Sequence, residues 1–278
     1  LGARSERSSR VGQSRVRDSV TVPRRLLIPA SLGAGLLVLP IIGLVLRAPL
    51  STFGSLLTAP ATLSALWLSV WTSTASTAVC VLLGVPLSWV LARAQFRFKS
   101  LLRGILLTPL VVPPVVAGVA LLSAFGRNGF LGAPLRDGFG LSIPYTSIAV
   151  VLAHSFVAMP FFILSTEEGF RALPPRLEDV ASTLGADAWT RFRRVGLPLA
   201  RPALIAGAVL AWARSLGEFG ATITFAGNYP GTTRTLPLEV YTQLQADPDA
   251  AIVVSLLLLI ICVGVLAALR GRWLGGLR

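Results

Sequence analysis

Long stretches without a charged residue constrain this chain more than any other feature of its sequence. Residues 26–46 contain no Asp, Glu, Lys or Arg, and neither does the whole segment 48–92. A helix that crosses the hydrocarbon core of a bilayer needs about 20 consecutive, mainly apolar residues. The sequence therefore predicts an all-α integral membrane protein.

Window hydropathy along the chain predicts six transmembrane helices. Pro49 and Pro60 interrupt the long uncharged segment, so we expect its spanning helix to begin only at Leu63. The fifth helix is the least typical because it holds two charged residues. The predicted spans are residues 26–46, 63–92, 104–126, a helix starting near Pro144 within 138–166, 202–226 and 250–269.

The composition supports this class of protein. Hydrophobic residues make up 54% of the chain and charged residues 13%, whereas soluble domains carry roughly 25% charged residues. The formal net charge of +13 would suit a nucleic-acid-binding protein. However, the charges cluster between the apolar segments, as membrane topology requires, so we expect no nucleic-acid partner.

The distribution of Lys and Arg predicts the orientation in the membrane. With a cytoplasmic N-terminus, twenty basic residues flank the cytoplasmic ends of the spans, and Arg214 lies in the fifth span. Only four lie outside, namely Arg47, Arg127, Arg136 and Arg234. Cytoplasmic loops carry an excess of Lys and Arg. We therefore expect a multi-pass protein of the cytoplasmic (inner) membrane with both termini and the 171–201 loop in the cytoplasm.

The remaining segments complete the predicted organisation. Residues 1–25 are rich in Arg and Ser and predict a disordered, basic cytoplasmic tail. The apolar run that follows is too long for a signal peptide and lacks a clear cleavage site, so we expect an uncleaved first helix. Residues 26–62 then form this helix and a linker, residues 63–269 the main membrane domain and residues 270–278 a cytoplasmic tail.

Residue types that carry chemistry are scarce. Lys99 is the only lysine and follows Phe98, so the phosphate loop G-x-x-x-x-G-K-[ST] is absent from the sequence. Any ATP that drives this protein must bind another subunit. Cys80 and Cys262 lie in apolar runs with no disulfide or metal spacing, and His154 is predicted to be an interior residue with satisfied hydrogen bonds. No catalytic or metal site is predicted, which argues against an intramembrane enzyme.

Prolines interrupt the predicted third span at Pro109, Pro113 and Pro114. Proline lacks the N–H that a helix needs, and inside a membrane the freed carbonyls require other partners. Two interpretations remain open, a simple kink or a bend that lines a transport pathway or gate. Pro113 and Pro114 are the candidate gate residues.

The cytoplasmic loop 177–198 reads LEDVASTLGADAWTRFRRVGLP. Its first part is a predicted short helix with Val180, Leu184 and Ala188 at helical spacing and with Glu178 and Asp179 in the first turn. Gly185 is expected to end or bend this helix. Exposed apolar groups then favour either docking onto a partner or lying on the membrane surface, and the residues alone do not separate the two.

This loop resembles the EAA motif of ABC importer permeases, E-A-A, three residues, Gly, nine residues, Ile, one residue, Leu-Pro. The spacing, the glycine and Leu-Pro are kept, with Asp for Glu, Val for Ala and Val for Ile. The matching residues are Asp179, Val180, Ala181, Gly185, Val195, Leu197 and Pro198.

The resemblance implies that the loop is a coupling helix fitting a cleft on a separate ATPase subunit. That subunit would bind ATP and Mg, and this chain would bind no cofactor. Two permease halves and two ATPases would make the transporter, and residues 63–269 would be the ABC type I transmembrane domain. The implied coupling residues are Glu178, Asp179, Ala181, Gly185, Trp189, Leu197 and Pro198.

Two charges lie inside the predicted fifth span. Arg214 and Glu218 are four residues apart and share a helix face. Arg214 lies roughly 18 Å along the helix from Pro202, which is near the middle of the membrane. Charges at this depth usually face a bundle interior or an aqueous cavity. The two could simply pair and lock the helix, or they could lie along the pathway or at a dimer interface.

Polar residues near this pair are further pathway candidates. Hydroxyl and amide donors suit contacts with an oxyanion, although such residues in spans often bond only to neighbouring backbone. The candidates are Ser215, Thr222, Thr224 and Asn228.

The string RSLGEFGATITF, followed by GNYPGTTRTLPLEVY, resembles permeases of molybdate ABC importers. Sulfate permeases share a related G-E-[FY]-G element, and molybdate, tungstate and sulfate are all tetrahedral dianions. The resemblance implies a permease homodimer in lipid, with two ATPase subunits and an extracytoplasmic oxyanion-binding protein, that works by alternating access. The alternatives are a sulfate or tungstate permease, or an ion-coupled secondary transporter, which would leave the docking loop unexplained.

Overall fold

The computed structural model describes residues 23–275, which contain helices and no strand. Residues 1–22, most of the predicted N-terminal tail, and residues 276–278 of the predicted C-terminal tail are not described. The chain divides into two compact units after Leu46. The first contains a 3-10 turn at Arg24–Leu26 and helix α1, Leu27–Leu46, which is long and apolar enough to cross a membrane.

The second unit, from Arg47 onward, contains the remaining helices and two short non-α segments. The latter are a 3-10 turn at Thr108–Leu110 and a π-helical segment at Phe192–Gly196. The helices are α2 Phe53–Leu57, α3 Pro60–Arg93, α4 Lys99–Leu107, α5 Pro114–Phe125, α6 Gly132–Phe139, α7 Ser147–Arg171, α8 Pro175–Thr183, α9 Ala188–Arg191, α10 Leu197–Leu199, α11 Arg201–Leu216, α12 Gly220–Phe225, α13 Leu236–Ala246 and α14 Pro248–Gly275.

Four helices of the described chain are individually long and apolar enough to span a membrane, namely α1, α3, α7 and the Pro248–Val265 part of α14. Two more candidates are bent pairs, Lys99–Leu110 with Pro114–Phe125 and Ala188–Leu199 with Arg201–Leu216. Counted as one span each, these pairs bring the total to the six that hydropathy predicts.

The predicted third span, residues 104–126, falls on two helices, α4 and α5, with a 3-10 turn after α4. The chain bends by 115° between α4 and α5. Pro109 lies in the 3-10 turn after α4, and Pro114 is the first residue of α5, where its missing N–H costs no helical hydrogen bond. The prolines therefore divide this segment into two helices, which is much more than a simple kink.

The predicted fifth span, residues 202–226, is also divided. Helix α11 ends at Leu216 and α12 begins at Gly220, with Gly217, Glu218 and Phe219 between them. Two boundaries differ as well. Helix α7 continues to Arg171, five residues beyond the predicted end at Thr166, and α14 continues through the predicted end at residue 269 to Gly275.

The core of the second unit forms around α7, which packs against both α3 and α11. Small residues allow these helices to approach closely, as is usual inside membranes. Gly84 of α3 lies against the ring of Phe162, and Gly169 of α7 lies against Ala203 of α11. Further along the chain, α12 packs against α5 and α7, and α13 packs against α14 and α3. This packing fixes the break between α11 and α12 inside the bundle.

Candidate functional site

The break between α11 and α12 is built around one carboxylate. The Nη2 atom of Arg214 lies 2.6 Å from Oε2 of Glu218. The other carboxylate oxygen, Oε1, accepts a hydrogen bond of 2.9 Å from the backbone N–H of Ala221 in the first turn of α12. Glu218 therefore joins the end of α11 to the start of α12, where its negative charge also suits the helix dipole.

The two partners of this pair differ in exposure. The Glu218 side chain is 1% exposed, whereas the Arg214 side chain keeps 27% of its surface exposed. An arginine inside a membrane span is costly against lipid and normally faces a cavity or another protein. The exposed part of Arg214 therefore marks a face of α11 that water or a second protein surface must cover.

The break before α5 and the break before α12 meet at this point. A Cβ atom added to Gly220, at the start of α12, would lie 2.7 Å from Cβ of Pro114, at the start of α5. One turn further along, a Cβ on Gly118 would lie 2.6 Å from Cβ of Thr224. The structure thus brings the predicted gate residue Pro114 close to the Arg214–Glu218 pair, while Pro113 caps α5 and is exposed.

The other predicted pathway residues are engaged mainly with their own chain. Ser215 shares a 3.0 Å hydrogen bond with Ser76 of α3, and the hydroxyl of Thr224 donates to the carbonyl of Gly220. Asn228 donates to Thr242 and accepts from Nε of Arg234. Thr222 is fully buried, and among residues 23–275 its hydroxyl has no hydrogen-bond partner.

The 177–198 loop forms the short helix that the sequence predicts. Helix α8 ends at Thr183, and Gly185 adopts a φ of +85°, a conformation that favours glycine. The N–H of Gly185 donates to the Ser182 carbonyl and that of Ala186 to the Ala181 carbonyl, a Schellman ending that satisfies the last carbonyls of the helix. The prediction that Gly185 ends the helix is confirmed.

A second capping interaction follows at once. Asp187 caps the N-terminus of α9, which begins at Ala188. Its Oδ1 atom accepts a 2.8 Å hydrogen bond from the N–H of Thr190. Hydrogen bonds from Thr190 are the main reason that the pKa of Asp187 lies below its ordinary value. The turn between α8 and α9 is therefore specified by a glycine and a cap only two residues apart.

The outer surface of this loop is apolar. Leu184 is 82% exposed and Trp189 63% exposed, and Val180 is exposed beside them. Asp179 and Pro198 are exposed, whereas Ala181 and Leu197 are half-buried. Neighbouring exposed apolar side chains on a loop mark a contact surface for a partner or a membrane.

Glu178 lies differently from the other predicted coupling residues. Its Oε1 atom accepts a 2.7 Å hydrogen bond from Nε of Arg93 and lies 2.6 Å from Nη2 of the same residue. The carboxylate therefore binds the end of α3. Glu178 is one of the predicted coupling residues, and in the structure it is paired within its own chain.

Two clusters of residues at the helix ends near this loop were not predicted from the sequence. In the first, the Trp89 ring packs edge-on against Phe170 and Phe192, with ring centroids 5.1 and 5.2 Å apart. In the second, the fully buried Glu167 lies 2.6 Å from Nη2 of Arg171 and 3.3 Å from Nε of Arg103. The only signal in the sequence was the grouping of arginines at these ends, which we interpreted as topology alone.

The histidine prediction is wrong in one respect. His154 is interior, with 1% of its surface exposed, but neither ring nitrogen has a hydrogen-bond partner within residues 23–275. Cys80 is buried and Cys262 half-buried, and both are free thiols. In the same part of the chain, no three His, Cys, Asp or Glu residues lie close enough to hold a metal ion.

A protein family and several individual proteins match this chain in sequence. The family described as "Binding-protein-dependent transport system inner membrane component" matches residues 84–275. The molybdenum transport system permease protein ModB of Mycobacterium tuberculosis (strain ATCC 25618 / H37Rv) is 48% identical over 251 residues, covering 90% of this chain and 95% of that protein. ModB of Escherichia coli (strain K12) is 39% identical over 212 residues, covering 75% and 93%.

Solved structures share the fold at low sequence identity. One is a chain of a bacterial alginate ABC transporter in complex with an alginate pentasaccharide-bound periplasmic protein, with a TM-score of 0.69, 14% identity and coverage of 87% of this chain and 90% of that one. Another is a chain of the MetNI methionine ABC transporter in an inward-facing conformation, with a TM-score of 0.56, 21% identity and coverage of 76% and 95%.

The chain therefore belongs to the family of binding-protein-dependent transport system inner membrane components. It is an inner-membrane permease subunit of an ABC importer with the type I fold, and it is a transport subunit rather than an enzyme. Both predictions are confirmed. Membership implies an ATPase and a substrate-binding protein as partners, and it favours the importer over the secondary-transporter alternative.

Proposed function

We propose that this chain is the membrane-spanning subunit of an ATP-driven molybdate importer. The observation that supports molybdate as the substrate is the 48% identity, over 90% of the chain, to a permease named for molybdenum transport. Tungstate and sulfate are the alternative substrates, because both are tetrahedral dianions like molybdate. The chain itself supplies a conduit, and the partner ATPase supplies ATP and Mg²⁺.

The conduit runs past the meeting point of the two helix breaks. Broken helices inside a membrane occur where the backbone lines a cavity or is buried in protein. The Arg214–Glu218 pair carries no net charge, but Arg214 is its exposed end and Glu218 is buried, so the exposed face is locally positive. An anion passing this face gains a favourable potential but meets no fixed multidentate site, which suits transport better than tight binding.

The loop from α8 to α10 docks on the ATPase. Val180, Leu184 and Trp189 offer an exposed apolar surface, and the turn at Gly185 presents it. Asp179, Ala181, Leu197 and Pro198 belong to the same loop and complete the proposed contact. ATP-driven closure of the ATPases moves this loop, and the movement changes the side of the membrane to which the conduit is open.

A second copy of this chain completes the transporter, together with two ATPase subunits. The exposed part of Arg214 supports this arrangement, since the described chain leaves it uncovered in a membrane-spanning helix. A two-fold axis is the commonest symmetry of homo-oligomers. With the conduit on that axis, the arginines of both copies face the anion rather than lipid.

The proposed topology has both termini in the cytoplasm and the transport domain within residues 63–269. The twenty basic residues assigned to the cytoplasmic side against four outside support this orientation. Cysteine labelling offers a direct check. The Arg136→Cys variant should react with an impermeant reagent from the outside, and the Asp187→Cys variant only after the membrane is permeabilised.

The test uses the complex of this chain with its ATPase and binding protein in liposomes. We expect ATP-dependent uptake of labelled molybdate, blocked by excess molybdate and only weakly by sulfate. Uptake driven by an ion gradient without ATP would contradict the importer mechanism. Equal or stronger inhibition by sulfate would leave an importer of this class but overturn molybdate as its substrate.

A further inference from the structure

Helix α8 is attached to the rest of the protein along one narrow face. Of its residues from Pro175 to Thr183, only Glu178 and Ala181 are even half-buried, and the others are exposed. Glu178 makes the polar contact of this face, through both Nε and Nη2 of Arg93. The orientation of α8 therefore depends on one arginine at the last residue of α3.

Arg93 lies where three parts of the cytoplasmic side converge. Its Nη2 atom also lies 3.5 Å from the carbonyl of Leu173, just after α7, and its guanidinium lies 5.6 Å from the centre of the Trp89 ring. Trp89 in turn packs against Phe170 of α7 and Phe192 of the π-helical segment. Gly196 faces the same ring and leaves no room for a side chain. The final turns of α3 thus contact both ends of the loop.

Helix α3 continues from this point into the candidate conduit. It runs from Arg93 back to Pro60 as one helix and packs on α7 and α11. Ser76 of α3 shares a hydrogen bond with Ser215, the neighbour of Arg214 in α11. Ser76 and Arg93 are roughly 25 Å apart along a helix, so a displacement at Arg93 reaches the conduit through one continuous element.

We infer that Arg93 is a positioning residue which holds α8 through Glu178, so that movement of the ATPase-docking loop is passed to α3 and from there to the conduit. This inference rests on the proposed docking role of the loop. It identifies a mechanical connection inside the chain that the apolar docking surface does not supply. Residues that contact the ATPase determine whether the complex forms. Arg93 determines whether movement of the docking loop reaches α3.

A merely structural pair is the competing explanation, since partly exposed ion pairs often contribute little. The two explanations differ in one measurable quantity, the molybdate transported per ATP hydrolysed. Loss of a structural contact lowers the amount or thermal stability of the complex. Loss of a mechanical connection leaves the complex assembled and hydrolysing ATP while transport falls.

The experiment measures this ratio in liposomes that contain the full complex. We expect Arg93→Gln and Glu178→Gln each to lower transport per ATP roughly tenfold, the size of one lost charged hydrogen bond. The double variant should be no worse than either single variant, because both remove the same interaction. Arg93→Lys keeps the charge but loses the paired geometry and should fall between.

Arg97→Gln is the matched control, because it removes an equal charge from the same cytoplasmic segment at an exposed residue. An unchanged ratio in Arg93→Gln, or effects of the two single variants that multiply in the double, would overturn the inference. So would failure of both Arg93→Gln and Arg93→Lys to assemble. The docking proposal fails separately, if Gly185→Arg leaves assembly with the ATPase intact.

Discussion

Two of the Arg–Glu pairs in the described chain, Arg214–Glu218 and Arg93–Glu178, share a 2.6 Å separation but lie in very different settings. Arg214 and Glu218 are one helical turn apart, and together they stabilise the break between α11 and α12. Arg93 and Glu178 are 85 residues apart in sequence, and they join α3 to the 177–198 loop. The first pair acts within one short segment, whereas the second connects two segments that are distant in sequence.

The surroundings of the two pairs also differ. The interior break is enclosed by close helix contacts at Gly118 and Gly220, and each oxygen of the Glu218 carboxylate has a partner. The loop presents exposed apolar side chains and is shaped by local turns at Gly185 and Asp187. Substitutions in the interior should therefore act through packing and unpaired charge. Substitutions in the loop should act through assembly with a partner.

The largest expected effect comes from Gly185→Arg in the loop. An L-residue is disfavoured at a φ of +85°, and the new side chain would also project from the docking surface. We expect uptake to be abolished while the protein remains inserted in the membrane, and co-purification with the ATPase to be lost. Gly185→Asn is the matched control, since Asn tolerates this conformation better, and it should retain most of the uptake.

Glu218→Ala should have the next largest effect, in the interior. It leaves Arg214 without its partner and removes the hydrogen bond to the start of α12. Removing one member of a buried pair costs about 3 kcal/mol or more, so we expect loss of transport together with a lower melting temperature in detergent.

Glu218→Gln separates the two roles of this carboxylate, because an amide oxygen still accepts the Ala221 N–H but carries no charge. If Gln restores stability without transport, the charge itself serves the conduit. Normal uptake by Glu218→Ala would show instead that the pair only locks the helix.

Gly118→Ala probes the packing of α5 on α12 and should have a smaller effect. The added methyl group would lie 2.6 Å from Cβ of Thr224, which is anchored to its own helix and cannot rotate away. Overpacking of this kind costs about 1–3 kcal/mol. Gly104→Ala is the control, because nothing lies within 4 Å of its Cβ position. A melting temperature unchanged in both variants would contradict the close contact of the two breaks.

The sequence predicted much of this fold because membrane burial is recorded in local composition. Uncharged runs located α1 and α3 to within a few residues, and the spacing around Gly185 located the end of α8. The prolines left a kink or a bend open in the third span, and neither the size of that bend nor the break in the fifth span was predicted. Hydropathy averages over a window and is blind to a break in which Pro114 starts one helix and Glu218 caps another.

Contacts distant in sequence were equally out of reach. Glu178 directly precedes a recognisable motif, but its partner Arg93 looked like one more cytoplasmic arginine. Thr224 and Asn228 are polar residues beside a conduit, yet their hydrogen bonds to Gly220, Thr242 and Arg234 follow from how the chain turns there. Composition states which groups need partners, and only the tertiary structure selects the partner.

The smallest expected effect comes from Asp187→Ala, which removes the cap of α9 while leaving the apolar docking surface in place. Without the cap, the N–H of Thr190 loses its acceptor, so we expect faster hydrogen exchange there and a modestly weaker association with the ATPase. Because the pKa of Asp187 is lowered from 3.8, the wild-type cap is fully present near neutral pH and is lost only as the pH falls through that lowered value. Asp187→Asn keeps an uncharged cap and should exchange at a rate independent of this ionisation. Exchange at Thr190 that is equally fast in wild type and Asp187→Ala would show that the turn is specified by Gly185 alone.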